Sequence, residues 1–265
     1  MITLLYKRSL LKLTGNDVQD FLQGQFSNDI DALEEGVVQL NAYCQHQGKI
    51  IALIWVMKQG NDFYLSFPSD LKEVVTQKLT MFKMMSDVTI ADVSDEIVQL
   101  GVIDQDFEDA FRLNNQQSVA LVKTLDGVEL DDANEWERAC IANNVAEVSL
   151  VTSEKFVPQL LNLDIDEVGV NFSKGCYPGQ EVVARLHYLG KAKRRMRQFE
   201  SEGEIQLGDE LIADGSKSAK ASGVVVRQVY INGQSYCLAT IEVAYEKNLI
   251  TLNSVDGAAL SLVNA

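Results

Sequence analysis

Apolar residues recur at two different spacings along this chain, and the spacing predicts which segments are helices. Between residues 69 and 85, apolar positions three and four apart behind a Ser/Asp start predict the clearest amphipathic helix. We also predict short helices near 14–24, 106–111 and 133–143, and we expect Asn16 to cap the first of them.

Strand-like runs alternate with these helices in the first 190 residues. They cover 37–45, 49–58, 62–67, 88–93, 97–103 and 118–125. After about residue 190 the helical signal disappears, and Asn232-Gly233 joins two apolar runs in the manner of a type I′ hairpin, before a closing strand at 258–263. The pattern predicts an α+β domain over residues 1–190 and a small all-β domain, a barrel or a sandwich, over residues 191–265.

Charge and composition narrow the class of protein. The chain has 265 residues, 46% of them apolar, and 38 acidic against 23 basic residues give a net charge of −15. This charge disfavours direct binding to nucleic acid, because the chain as a whole repels a polyanion. The longest charge-free apolar run, 50–57, is too short for a membrane helix, and Lys7 and Arg8 interrupt the apolar N-terminus that a signal peptide requires. We therefore expect a soluble, cytoplasmic protein that contacts no membrane.

Four cysteines and two histidines offer little support for a metal site. No C-x-x-C pair occurs, so a dedicated zinc or iron–sulfur cage is not expected, and we predict free thiols. Cys44, Cys140 and Cys237 lie within predicted strands or a helix and are expected in the core.

The segment K-G-C-Y-P-G-Q-E, residues 174–181, is the most unusual stretch of the chain. Its glycines and proline predict a tight loop, in which Gly175 is free to adopt conformations that L-residues avoid. Cys176 lies at the centre of this loop, where Lys174 and Arg185 could lower the pKa of the thiol. A half-buried structural cysteine explains the same residues equally well.

A run of basic residues follows this loop. Between residues 182 and 199 there is no acidic residue, and the six basic ones are Arg185, Lys191, Lys193, Arg194, Arg195 and Arg197. On an acidic body, such a patch would concentrate a small anion. A solvated strand face is the alternative interpretation.

Trp136 is predicted on a helix among charged neighbours. Its ring could lie at the surface and stack on a flat heterocycle, or it could pack in the core behind a charged rim.

Several segments of the chain resemble one known family. K-G-C-Y-P-G-Q-E-V-V-A-R at 174–185, followed by G-K-A-K-R-R-M at 190–196, is similar to the signature of the YgfZ folate-binding proteins, which are relatives of the glycine-cleavage T-protein, an aminomethyltransferase. The segments 21–30, 41–50 and 156–164 resemble further blocks of that family.

The resemblance implies a fold of α+β subdomains around a central channel that binds tetrahydrofolate, with a C-terminal β-barrel. It implies a role in assembling or repairing iron–sulfur enzymes, including those that modify tRNA, through transient contact with these proteins. Cys176 would be the functional thiol. The residues that frame it by the match are Lys174, Gly175, Tyr177, Gly179, Gln180 and Glu181. Trp136 and Arg185 would contact the folate, with the basic run attracting its glutamate tail. We expect a monomer without a bound metal.

The chain departs from the family at Ala142, where relatives often carry a carboxylate that could hold the pterin. A tetrahydrofolate-dependent aminomethyl or methyl transferase is the alternative function, with Asp29 or Glu181 as its acid or base by position only. Direct binding of tRNA is a third possibility, which the net charge disfavours.

Overall fold

The computed structural model describes residues 1–218 and 221–263, and its strands form three separate sheets. Its four α-helices in these ranges are α1 (Val18–Gln23), α2 (Lys72–Phe82), α3 (Ala133–Ala142) and α4 (Gln180–Leu189). None of the described helices is long and apolar enough to cross a membrane.

The first sheet has five antiparallel strands in the spatial order β3-β4-β5-β2-β6. They are β2 (Arg8–Thr14), β3 (Gln39–Cys44), β4 (Ile50–Gln59), β5 (Asp62–Pro68) and β6 (Thr89–Asp92). Eight consecutive residues of β4 are buried, because its two faces enter two different apolar clusters, with Trp55 and Met57 in one and Ile54 and Val56 in the other. The unbroken apolar run in the sequence is therefore a strand that is covered on both sides.

The second sheet has the order β1-β7-β9-β8. Its strands are β1 (Ile2–Leu4), β7 (Val98–Ile103), β8 (Phe111–Arg112) and β9 (Gln117–Val122). The helix predicted near 106–111 is wrong, since the chain turns there and enters the short strand β8. Asp109 has a φ of +55°, in the left-handed region that ends a right-handed helix.

The C-terminal strands close into a six-stranded barrel, which confirms the predicted β-barrel. They are β10 (Arg194–Ser201), β11 (Glu210–Ala213), β12 (Gly223–Ile231), β13 (Gln234–Glu242), β14 (Ile250–Leu252) and β15 (Ala259–Leu262). Asn232 and Gly233 both have positive φ and join β12 to β13, as the hairpin signal predicts. The division into domains at residue 190 stays a prediction, and residues 219, 220, 264 and 265 of the predicted barrel domain lie outside the described ranges.

One predicted helix cap is wrong, and one helix was not predicted. Asp17, not Asn16, is the N-cap residue of α1, and the Asn16 side chain instead donates to the Asp87 carboxylate. Helix α4 was not expected from the apolar pattern of the sequence. Val183 is the one residue of this helix that is buried, so its apolar positions do not form the usual stripe.

Candidate functional site

The four cysteines differ sharply in exposure. Cys176 is exposed, whereas the other three, Cys44, Cys140 and Cys237, are buried as predicted. Burial raises the pKa of each of these three thiols to about 12, which leaves them protonated at neutral pH. No group of three or more His, Cys, Asp or Glu residues in 1–218 and 221–263 is arranged to hold a metal ion.

Lys174 fixes one side of the loop that carries Cys176. Its Nζ atom donates to three backbone carbonyl oxygens, those of Gln23 at 2.7 Å, Phe26 at 2.6 Å and Asn28 at 2.8 Å. These three bonds use all three N–H groups of the ammonium. Burial lowers the pKa of Lys174 to about 8, against the opposing effect of nearby acidic residues. The lysine therefore ties the loop to the segment that follows α1.

Gly179 fixes the other side of the loop. It has a φ of +83°, and a Cβ atom there would lie 2.7 Å from the Cα atom of Gly48 and overlap the carbonyl oxygen of Gln45. The turn between β3 and β4 thus packs directly against the start of α4. We expected Gly175 to adopt a backbone conformation that L-residues avoid. Its φ is not positive, however, and an added Cβ atom there would meet no atom within 4 Å. The backbone freedom that the loop requires lies at Gly179.

The remaining motif residues differ in their exposure. Tyr177 is buried, its ring centroid lies 5.6 Å from the Nζ atom of Lys174, and burial, together with the nearby Cys44, raises the pKa of its hydroxyl. Gln180, half-buried, begins α4, and Glu181 is exposed in its first turn. The exposed Cys176 is thus followed directly by a buried residue, Tyr177.

The basic run after the loop is partly neutralised. Three of its arginines pair with carboxylates: Arg194 with Glu242 at 3.1 Å, Arg195 with Asp164 at 2.5 Å, and Arg197 with Glu246 at 2.9 Å. Arg185, Lys191 and Lys193 are exposed and form no ion pair in the described part of the chain. Carboxylates thus neutralise three of the six cations in the predicted patch.

A separate cavity lies where the three sheets meet, and we call it the junction cavity. It has a volume of about 340 Å³ and lies between the chain at Leu4–Arg8, the first turns of α3 and the end of β12. Leu4, Leu5 and Val229 supply apolar walls. Neither Cys176 nor Arg185 lines this cavity.

Four charged residues form a network on the wall of the junction cavity. Arg227 is 3% exposed and donates to both oxygens of the Glu137 carboxylate, at 2.8 and 3.4 Å, and to the backbone carbonyl of Val145. Arg8, which is 6% exposed, pairs with Glu147, and its guanidinium lies 3.6 Å from the ring centroid of Trp55. Two buried guanidinium groups and two carboxylates therefore face the same space.

The ionisation of Glu147 is fixed by this network. Burial alone would raise the pKa of its carboxyl group, but the positive charges of Arg227 and Arg8 hold that pKa below its usual value. The carboxylates of Glu137 and Glu147 raise the pKa of Arg227 despite its burial. The network is thus charged at neutral pH.

Trp136 packs in the core rather than at the surface. It is 1% exposed and meets Trp55 edge to face, with ring centroids 6.3 Å apart. Gly101 leaves room for its indole, because a Cβ there would overlap the ring. Trp136 still forms part of the wall of the junction cavity.

Position 142 lies outside the junction cavity. Ala142 is exposed, and its carbonyl accepts from the side chain of Gln198. The carboxylates that line the cavity are Glu137 and Glu147, which sequence analysis did not select. Arg8 and Arg227 were missed as well. The one sequence signal for these cavity residues was Arg227, an isolated arginine in the apolar strand V-V-V-R-Q-V-Y-I.

The candidate acid or base residues of a transferase are also outside the cavity. The Asp29 carboxylate caps a short turn by accepting from the backbone of Asp31, and it accepts from Gln23 as well. Glu181 lies on the exposed side of α4. Neither residue lines the junction cavity.

Comparison with solved structures identifies the fold. The whole chain superposes on the glycine cleavage system aminomethyltransferase T of Bartonella henselae with a TM-score of 0.68, covering 84% of that chain at 11% sequence identity. The fold is therefore that of the aminomethyltransferases.

Sequence relatives define the family. A protein of Serratia proteamaculans described as tRNA-modifying protein YgfZ is 30% identical over 273 residues, which covers 84% of this chain and 82% of the relative. An uncharacterized protein of Haemophilus influenzae is also 30% identical, over 234 residues with the same coverage. No family model matched the chain. The chain belongs to the YgfZ family, as its motifs predicted.

Proposed function

We propose that this protein binds a reduced folate, such as tetrahydrofolate, and uses the thiol of Cys176 to support the assembly or repair of iron–sulfur enzymes, including those that modify tRNA. The observation that carries the proposal is the exposed sulfur of Cys176 on a loop that Lys174 and Gly179 hold from two sides. Relatives described as tRNA-modifying proteins support the cellular role.

The junction cavity fits the head of a folate. Its volume of about 340 Å³ is within the range of small-molecule sites, roughly 300–1,000 Å³. Apolar walls suit a flat ring, and Glu137 and Glu147 offer acceptors to the ring's N–H groups. When bound, a reduced folate supplies a pteridine that carries one-carbon units and reducing equivalents.

Cys176 acts transiently in this proposal, because one thiolate does not hold a cluster that requires four. It serves either as a single ligand to a cluster in transit or as a nucleophile toward a disulfide of an oxidised partner. In the second case the Cys176 thiolate forms a bond to one partner sulfur, the partner's S–S bond breaks, and the second partner sulfur leaves as a thiolate.

Replacing Cys176 by serine tests the proposal. In cells that lack the wild-type protein, we expect Cys176→Ser to lower the activity of iron–sulfur tRNA-modifying enzymes at least about tenfold, because a hydroxyl does not replace a thiolate as ligand or nucleophile. Unfolding in urea and tetrahydrofolate affinity should stay unchanged, since the side chain is exposed and lies outside the cavity.

Ser173→Ala is the matched control, because Ser173 is exposed in the same loop. It should retain full activity in the same cells. Full activity of Cys176→Ser would exclude a role for the thiol. Turnover of an aminomethylated carrier protein with tetrahydrofolate would instead favour the transferase.

A further inference from the structure

Helix α4 leaves an apolar face uncovered. Val182, Arg185 and Leu189 are three and four residues apart, so they share one side of the helix, away from the buried Val183. Leu189 is 85% exposed, and Tyr188, which flanks this side, is 65% exposed. Exposed apolar side chains that cluster beside polar groups are typical of an interaction site.

Positive charge surrounds this face. Arg185 lies on it, and Lys191 and Lys193 follow the end of the helix; all three are exposed, without an ion pair among the described residues. Glu181 is the only acidic residue in the sequence of α4. On a chain with a net charge of −15, this region therefore has the opposite sign and attracts an anionic partner. We call it the α4 surface, and it comprises Val182, Arg185, Tyr188, Leu189, Lys191 and Lys193.

The thiol loop is folded back along α4. Phe172, four residues before Cys176, stacks on His187 in the last turn of the helix, with ring centroids 3.8 Å apart, and meets Tyr188 edge to face at 6.0 Å. At its other end the loop enters the first turn of the same helix. The segment 172–179 thus runs beside a helix about 15 Å long, with Cys176 between its ends. A molecule bound to the α4 surface therefore lies within about one helix length of an exposed thiol.

A protein segment suits the α4 surface better than RNA. Val182 and Leu189 are aliphatic, so they offer neither a stacking plane to a base nor a donor to a phosphate. Tyrosine and arginine, at positions 188 and 185, are residue types that carry much of the binding energy at protein interfaces. The net charge of −15 repels a long polyanion, whereas a short acidic segment reaches the local cations without facing the whole body.

We propose that the α4 surface docks an acidic segment of a partner protein beside Cys176. Apolar side chains of that segment cover Val182 and Leu189, and its carboxylates pair with Arg185 and the two lysines. The proposal rests on the proposed function in taking a protein as the partner of Cys176, and it adds where that partner binds and by what chemistry.

Thiol exchange between the full-length protein and short peptides tests this docking. The probe is a peptide of aspartate and leucine residues whose single cysteine forms a disulfide with 2-nitro-5-thiobenzoate. The Cys176 thiolate forms a bond to the peptide sulfur, the S–S bond of the probe breaks, and coloured nitrothiobenzoate leaves as a thiolate. Because Cys44, Cys140 and Cys237 are buried, the rate of colour release measures the reaction of Cys176.

Two altered peptides separate charge from apolar contact. At low ionic strength, the acidic peptide should react at least about tenfold faster than a version with lysine in place of aspartate. Replacing the leucines of the acidic peptide by serine should slow the reaction at least about threefold. Equal rates for the three peptides would overturn the proposal. An effect of charge without an effect of leucine would also overturn it, since long-range attraction requires no docking face.

Variants locate the docking surface. Arg185→Glu combined with Lys191→Glu should reverse the preference between acidic and basic peptides, whereas Lys123→Glu, the same change at an exposed position after β9, should retain it. Leu189→Ser should remove the advantage of leucine in the peptide. Leu249→Ser, at a 62% exposed position of the barrel, should not. Unchanged preferences in the α4 variants would overturn the proposal.

Cellular activity separates this inference from the proposed function. In the cells used for Cys176→Ser, the Arg185→Glu/Lys191→Glu variant should lower the activity of iron–sulfur tRNA-modifying enzymes about fivefold, and raising its expression should restore that activity. If only Cys176→Ser is inactive, docking is overturned and the thiol function stands. If only the double variant is impaired, the thiol function fails and docking stands, and full activity of both overturns both. Salt-sensitive binding of tRNA that the double variant weakens would identify RNA as the occupant and overturn the proposal.

Discussion

The Cys176 loop and the junction cavity hold their reactive groups in opposite ways. The loop leaves its sulfur in solvent and is secured through backbone atoms, by the Lys174 ammonium and the close approach of Gly179 to Gly48. The cavity buries its charges and secures them through one another, with Arg8 and Arg227 against two carboxylates. An exposed thiol is accessible to a macromolecule, whereas an enclosed set of donors and acceptors suits a small ligand. Because Cys176 does not line the cavity, mutations should separate the two.

The largest effect should come from breaking the charge network of the cavity. Arg227→Met leaves the carboxylates of Glu137 and Glu147 without their shared cation, so we expect the free energy of unfolding to fall by about 3–5 kcal/mol. Urea unfolding of the variant measures this loss. Arg185→Met, at an exposed position, should change the same quantity by less than about 0.5 kcal/mol. Equal stability of the two variants would contradict the importance of the network.

A smaller effect should distinguish the two glycines of the loop. Gly179→Ala forces a Cβ into the backbone of Gln45 and Gly48 at a positive φ, and we expect the free energy of unfolding to fall by about 2–3 kcal/mol. Gly175→Ala meets no neighbouring atom and has no such φ, so its loss should stay below about 1 kcal/mol. Unfolding curves of both variants, recorded together, provide the comparison. A larger loss for Gly175→Ala would show that the loop is held at its other end.

The smallest expected effect is on the pH dependence of the free energy of unfolding. Glu147 has a pKa below its unfolded value of 4.5, so its ion pairs stabilise the folded protein above about pH 4.5, and this contribution is lost as pH falls through the lower folded pKa. The difference in free energy of unfolding between wild type and Glu147→Gln should therefore shrink on acidification from pH 5 to pH 3. Urea unfolding at several pH values measures it. A difference that grows toward low pH would contradict this assignment.

Local patterns in the sequence predicted those elements whose contacts are also local. The hairpin at Asn232-Gly233 follows from backbone preferences of two adjacent residues, and α2 from a regular apolar stripe. The helix α4 was missed because it buries only Val183 and leaves Leu189 exposed, so tertiary context rather than periodicity defines it.

The candidate site shows the same contrast between features set by local sequence and features set by long-range contacts. Cys176 was recognised because its motif is contiguous in the sequence. The junction cavity was not, because Arg8 meets Glu147 across 139 residues and Arg227 meets Glu137 across 90. No local spacing relates such pairs, so they appear only when three sheets are assembled.

The bonds of Lys174 also link the thiol to the order in which the chain is made. Its acceptors, the carbonyls of Gln23, Phe26 and Asn28, precede it by 151, 148 and 146 residues. A ribosome delivers those acceptors long before the lysine, and domains generally fold from the N-terminus during synthesis. The anchor of the Cys176 loop is therefore set only when residues on either side of that long interval have been brought together by the fold.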